Sequence, residues 1–107
     1  MKSTEKKLFR QGDLLMVTIA KPPQGEKKVR PDGILMHGEV TGHCHRVADI
    51  KAATVYDVGD GAFLSVTDEG GVAIVHDEHG PIQLPRGDFE IRAQREYAPE
   101  EVRRVVD

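Results

Sequence analysis

Apolar residues recur along this chain in short β-branched stretches cut by Gly, Pro and Asp, and nowhere at the i, i+3, i+4 spacing of a long amphipathic helix. That pattern predicts strands at 13–20, 33–40, 43–47, 54–58, 62–67, 72–76, 82–84 and 88–97. The intervening segments have turn chemistry: Lys21-Pro22-Pro23-Gln24-Gly25, Arg30-Pro31-Asp32-Gly33, Gly59-Asp60-Gly61, Glu69-Gly70-Gly71 and Leu84-Pro85-Arg86-Gly87. Proline presets φ there and glycine permits positive φ. Short strands with turns at this interval make an all-β domain, a small barrel or sandwich of about seven to eight short strands. A lone antiparallel sheet would leave its edges and one apolar face uncovered. Residues 1–7 are expected to form a mobile arm, and 8–107 a single domain. The stretch from Pro99 to Asp107 reads equally as one or two helical turns or as an edge strand.

A length of 107 residues argues for one core and against a separate cofactor domain. With two Tyr, three Phe and no Trp, stacking platforms for nucleic acid bases are sparse. The net charge of −3 argues against a protein that coats nucleic acid or membrane through bulk electrostatics. The only cysteine, Cys44, can make no internal disulfide and belongs to no Cys-x-x-Cys pair, which fits a reducing compartment. The longest apolar runs, such as Leu14 to Val17, are four residues, too short for a signal peptide core or a membrane helix. A cytoplasmic protein with no membrane partner is the expectation.

Charge and histidine are unevenly placed. Residues 1–30 carry eight basic and three acidic groups, whereas residues 31–91 carry three and eleven, and that acidic middle holds all five histidines. Four of the five form two close pairs, His43-Cys44-His45 and His76-Asp77-Glu78-His79. Positions i and i+2 of a strand share a face, so the imidazoles of His43 and His45 stand side by side while Cys44 points away as a small buried filler. His76 and His79 would fall on opposite faces of a strand, but a curl before Gly80-Pro81 brings them together, with Asp77 or Glu78 adding an oxygen. One hydrogen bond accounts for any single surface histidine; two close pairs point to one shared site. Imidazole nitrogens with carboxylates suit Zn, Fe, Mn, Co or Ni.

Around this set, His37 is expected to face outward, and Glu39 is a candidate for fixing an imidazole tautomer. Gly38 and Gly42 allow a hairpin or bulge that aims His43 inward. Arg46 alternates with His45 and so shares the side of Cys44. Arg95 and Tyr97 share one face of the last strand, where an Arg with a Tyr beside histidines makes an oxyanion or phosphate clamp.

Gly38, His43-x-His45 and Pro85-x-Gly87 resemble the two signature stretches of the cupin superfamily, which implies a small metal-binding β-barrel. The chain departs from that pattern in three ways. Four residues rather than five separate Gly38 from His43, Asp49 stands where glutamate is expected, and Pro85-Arg86-Gly87-Asp88-Phe89-Glu90 lacks the histidine of the second stretch. His76 or His79 would have to replace it. The chain is also similar to a group of small uncharacterised bacterial proteins that share Gly-Glu-Val-Thr-Gly-His-x-His, His-x-Glu-His-x-Pro-Ile-x-Leu-Pro and Gln-Arg-Glu-Tyr, here residues 38–45, 76–85 and 94–97. That likeness groups the four histidines and implies no activity.

Three functional readings follow. In the first, His43, His45 and His79 bind a divalent ion, His76 or Glu78 completes the shell, and a bound water is activated for hydrolysis or a small substrate is held. In the second, the same histidines act without metal as acid and base to cleave RNA, with Arg46, Arg92 or Arg95 stabilising charge and the basic N-terminal segment holding phosphates. The third is a non-catalytic module that binds a partner protein through an edge strand. A small barrel with exposed edges also suits a homodimer.

Overall fold

The computed structural model describes residues 7–37 and 43–94. Among them are ten strands and no helical element: β1 (Leu8–Gln11), β2 (Leu14–Ile19), β3 (Lys28–Arg30), β4 (Ile34–His37), β5 (Cys44–Val47), β6 (Ala53–Val58), β7 (Gly61–Val66), β8 (Val72–Val75), β9 (Ile82–Leu84) and β10 (Gly87–Ala93). The fold is all-β, as the spacing of apolar stretches predicts. The strands form two antiparallel sheets, ordered β1-β2-β10-β7-β6-β3 and β4-β5-β8-β9, which face each other as a sandwich and do not close into a barrel. None of the described residues belongs to a helix long and apolar enough to cross a membrane. The arm expected over 1–7 lies outside the described residues except for Lys7, whose N–H donates to Thr18 Oγ1 at 2.8 Å. The segment 99–107 lies wholly outside them.

Period-two alternation builds the core. Along β10, Phe89, Ile91 and Ala93 are buried while Asp88, Glu90 and Arg92 are half-buried. Register carries this face across the sheet, with Ile91 opposite Met16 on β2 and Phe89 opposite Leu64 on β7. Leu14, Met16, Val55, Leu64, Val66, Phe89 and Ile91 of the larger sheet pack against Leu35, Val47, Val72, Ile74 and Leu84 of the smaller one. Each such side chain contributes about 1.5–3 kcal/mol by leaving water.

Two strands were not predicted, β1 and β3, and these are the two edges of the larger sheet. In β3, Lys28-Val29-Arg30 leaves Val29 58% exposed, because an edge strand with little to cover carries charge rather than apolar alternation. Both edges are tied to the opposite sheet by a polar side chain. Arg30 forks onto Asp57 of β6, with Nε 2.8 Å from Oδ2 and Nη2 2.6 Å from Oδ1, and its Nη1 donates to the carbonyls of Ile34 and Leu35 on β4. Gln11, at the end of β1, reaches β8 in the same manner.

Candidate functional site

On β5 the alternation is Cys44 half-buried, His45 buried, Arg46 exposed and Val47 buried, which sends the His45 ring inward beside the core. Next to it, β8 pairs with β5 so that Arg46 lies opposite Val75 and Val47 opposite Ile74. Continued past the strand ends, this register sets His45 opposite His76 and His43 opposite Glu78. The rings obey it. The His45 and His76 centroids are 4.3 Å apart, and His43 and His76 are 5.9 Å apart at 82°. His79 comes back from the loop between β8 and β9 to lie 4.7 Å from His76 and 6.0 Å from His45. The curl before Gly80-Pro81 thus does what the sequence called for, and the four histidines form one cluster.

Gln11 decides the chemistry of the buried ring. Its Nε2 donates to the carbonyls of Ile74 and Gly80, each at 2.9 Å, so its Oε1 is the atom that faces His45 Nδ1 at 2.8 Å. A flipped amide would set an oxygen against two carbonyl oxygens. Oε1 only accepts, so Nδ1 carries the proton and the lone pair of His45 sits on Nε2. For His76 the assignment is reversed, since its Nδ1 accepts the backbone N–H of Glu78 at 3.0 Å, which leaves Nε2 as the nitrogen that carries a proton.

Burial, followed by the neighbouring His76 and His79, pushes the His45 pKa down to about 4, against a smaller opposing pull from Asp13. His45 is therefore neutral at pH 7. His43 is flanked by carboxylates, with Asp77 Oδ2 3.9 Å from Nε2 and Glu78 Oε2 3.5 Å from Nδ1. Its Nδ1 is buried and makes no hydrogen bond among the described residues.

The remaining predicted residues fall elsewhere. Arg46 is exposed on the face of β5 opposite His45, with Nη1 3.9 Å from Cys44 Sγ. Cys44 is half-buried there rather than a buried filler, because position i+1 of this strand turns away from the core. His37 is exposed, as expected, opposite Cys44 in the ladder. Arg92 pairs with Glu90 at 3.3 Å on β10. Glu39, Gly38, Gly42, Arg95 and Tyr97 lie outside the described residues. Sequence reading missed Gln11 and Gly12 and gave Asp13 only as the first residue of a strand. Their one signal was the Gly-Asp turn closing a hairpin between apolar stretches.

As the rings stand, no three His, Cys, Asp or Glu side chains among the described residues are arranged to hold a metal ion. A family profile matches residues 10–94, most of the chain. The chain belongs to that family, described as Domain of unknown function (DUF8820). The DUF8820 match includes Gln11 and all four clustered histidines, and it assigns them no activity. No curated protein and no solved structure matches the chain. The cupin likeness of the two motif stretches gains no support from these findings.

Proposed function

We propose that the imidazole cluster binds a divalent transition-metal ion through His43, His45 and His79. The observation that supports this reading best is the Gln11–His45 contact at 2.8 Å, which ties down Nδ1–H and keeps the lone pair on Nε2 of a buried ring. Metal-ligating histidines are oriented by this kind of partner on the second nitrogen. At a pKa of about 4 no proton competes for that lone pair near neutrality. The buried Nδ1 of His43, which makes no hydrogen bond among the described residues, is a second nitrogen open to a ligand.

Binding requires His43 and His79 to turn about their side-chain torsions, which the half-buried and exposed settings of the two rings allow. His76, with its proton on Nε2, serves as a donor to a bound water or substrate oxygen. Nitrogen ligands beside Asp77 and Glu78 favour Zn, Fe, Mn, Co or Ni over Mg or Ca. Such an ion supplies Lewis acidity and an acidified water, the chemistry of hydrolysis of a small molecule. The metal-free, RNA-cleaving reading is less well supported, because a general base works best with a pKa near the operating pH and His45 lies well below it.

Calorimetric titration of the untagged full chain with Zn²⁺, Ni²⁺, Co²⁺ and Mn²⁺ tests the proposal. Saturable binding in the wild type that vanishes in the His43→Ala, His45→Ala double variant is the expected result. Binding that survives in that variant overturns it.

A further inference from the structure

We infer that Gln11 is the positioning residue of the imidazole site: one side-chain amide both selects the nitrogen that His45 offers and clamps the loop that carries His76 and His79.

Gln11 ends the edge strand β1 of the larger sheet, and its backbone pairs with Leu14. Its side chain leaves that sheet and crosses to the smaller one, where it is only 3% exposed. Each of its polar atoms has a defined task. The two carbonyls that take its N–H groups, Ile74 and Gly80, stand on either side of the segment containing His76 and His79. A single amide group therefore fixes both ends of the loop. The amide oxygen meets the Nδ1–H of His45, itself only 3% exposed. An amide buried without partners is destabilising. Packing alone would be served better by Leu or Met at this position, so the polar side chain is explained by what it holds.

The roles can be separated by substitution. Gln11→Met keeps length and volume while removing both donor and acceptor. Gln11→Glu keeps an acceptor for His45 and removes the two donors to the loop. Asn is one methylene shorter and cannot span the same gap.

The assignment to His45 is read in the metal-free full chain, by long-range ¹H–¹⁵N correlation spectra of the imidazoles at pH 7.5. In the wild type His45 is expected to show a protonated Nδ1 and a bare Nε2. Gln11→Met is expected to lose this pattern in favour of the Nε2–H tautomer, and Gln11→Glu to keep Nδ1–H. Persistence of Nδ1–H in a folded Gln11→Met, or its loss in Gln11→Glu, overturns the inference. Far-UV circular dichroism checks both folds, and the wild-type spectrum decides without either variant: a bare Nδ1 and a protonated Nε2 on His45 overturns the inference.

The consequence for affinity rests on the metal reading: Zn²⁺ binding should weaken about 10- to 100-fold in Gln11→Met. An unchanged Zn²⁺ affinity in that variant overturns the positioning role. Wild-type protein that binds no metal while its tautomers move as expected removes the metal reading and leaves Gln11 as the residue that sets His45. Metal binding with unmoved tautomers does the reverse.

Discussion

The His79 ring lies directly over Gly12: a Cβ built on Gly12 would stand 2.6 Å from His79 Nε2. Gly12 also has φ +60°, a conformation of the β1–β2 turn that side-chain-bearing residues adopt at a cost. The turn that starts the larger sheet is thus also the floor under one ring of the site. Gly12→Ala should lose about 1–2 kcal/mol from the backbone alone. It should further displace His79 from its place over the turn and so change Zn²⁺ affinity. Urea denaturation and Zn²⁺ titration of the variant check both, and unchanged values would contradict the packing described.

The two histidine pairs were legible in the sequence, because i and i+2 on a strand and a curl before Gly80-Pro81 are local rules. Gln11 was not. A buried glutamine has no signature in an apolar pattern, and its partners Ile74 and Gly80 are backbone carbonyls more than sixty positions away. β1 and β3 were hidden too, because Leu-Phe-Arg-Gln and Lys-Val-Arg are too short and too charged to stand out as strands. Barrel versus sandwich was equally hidden, since strand order depends on pairings such as β2 with β10 that lie far apart in the chain.

Stability should depend on pH through His45. Its folded pKa of about 4 lies below the ordinary 6.5, so the unfolded chain binds the proton more readily as pH falls. This contribution is fully present above pH 6.5 and is lost progressively down to about pH 4. Asp57, held below the usual 3.8 first by its hydrogen bond to Arg30, adds its own loss at more acid pH. Denaturation of metal-free protein at about pH 7.5, 5.5 and 4.5 should show the decline, and His45→Phe should flatten it. An equal decline in the variant would contradict the assignment.

Arg30 ties the other edge. Its fork to Asp57 and two bonds to β4 carbonyls involve side chains about one-third exposed, 32% and 35%, which limits their worth. Arg30→Lys keeps the charge and loses the planar fork. A loss of about 1–2 kcal/mol is expected with Zn²⁺ affinity unchanged. Altered metal binding would show that the two edges are coupled.

Tyr56 is 1% exposed and its hydroxyl has no hydrogen-bond partner among the described residues, while its ring stacks on Phe63 at 5.8 Å and carries the Lys27 ammonium over it at 4.9 Å. Tyr56→Phe removes an unmet buried group and keeps the ring. Thermal unfolding should show a gain of about 1 kcal/mol. A loss would mean that the hydroxyl is paired.

The central claim is that the histidines of β5 and of the β8–β9 loop together hold a metal ion. Elemental analysis of untagged protein, purified after supply of Zn, Mn, Fe and Ni salts and set beside the His43→Ala, His45→Ala double variant, tests it most directly. The account predicts stoichiometric metal in the wild type and none in the variant. No metal in the wild type under any of these conditions would contradict it.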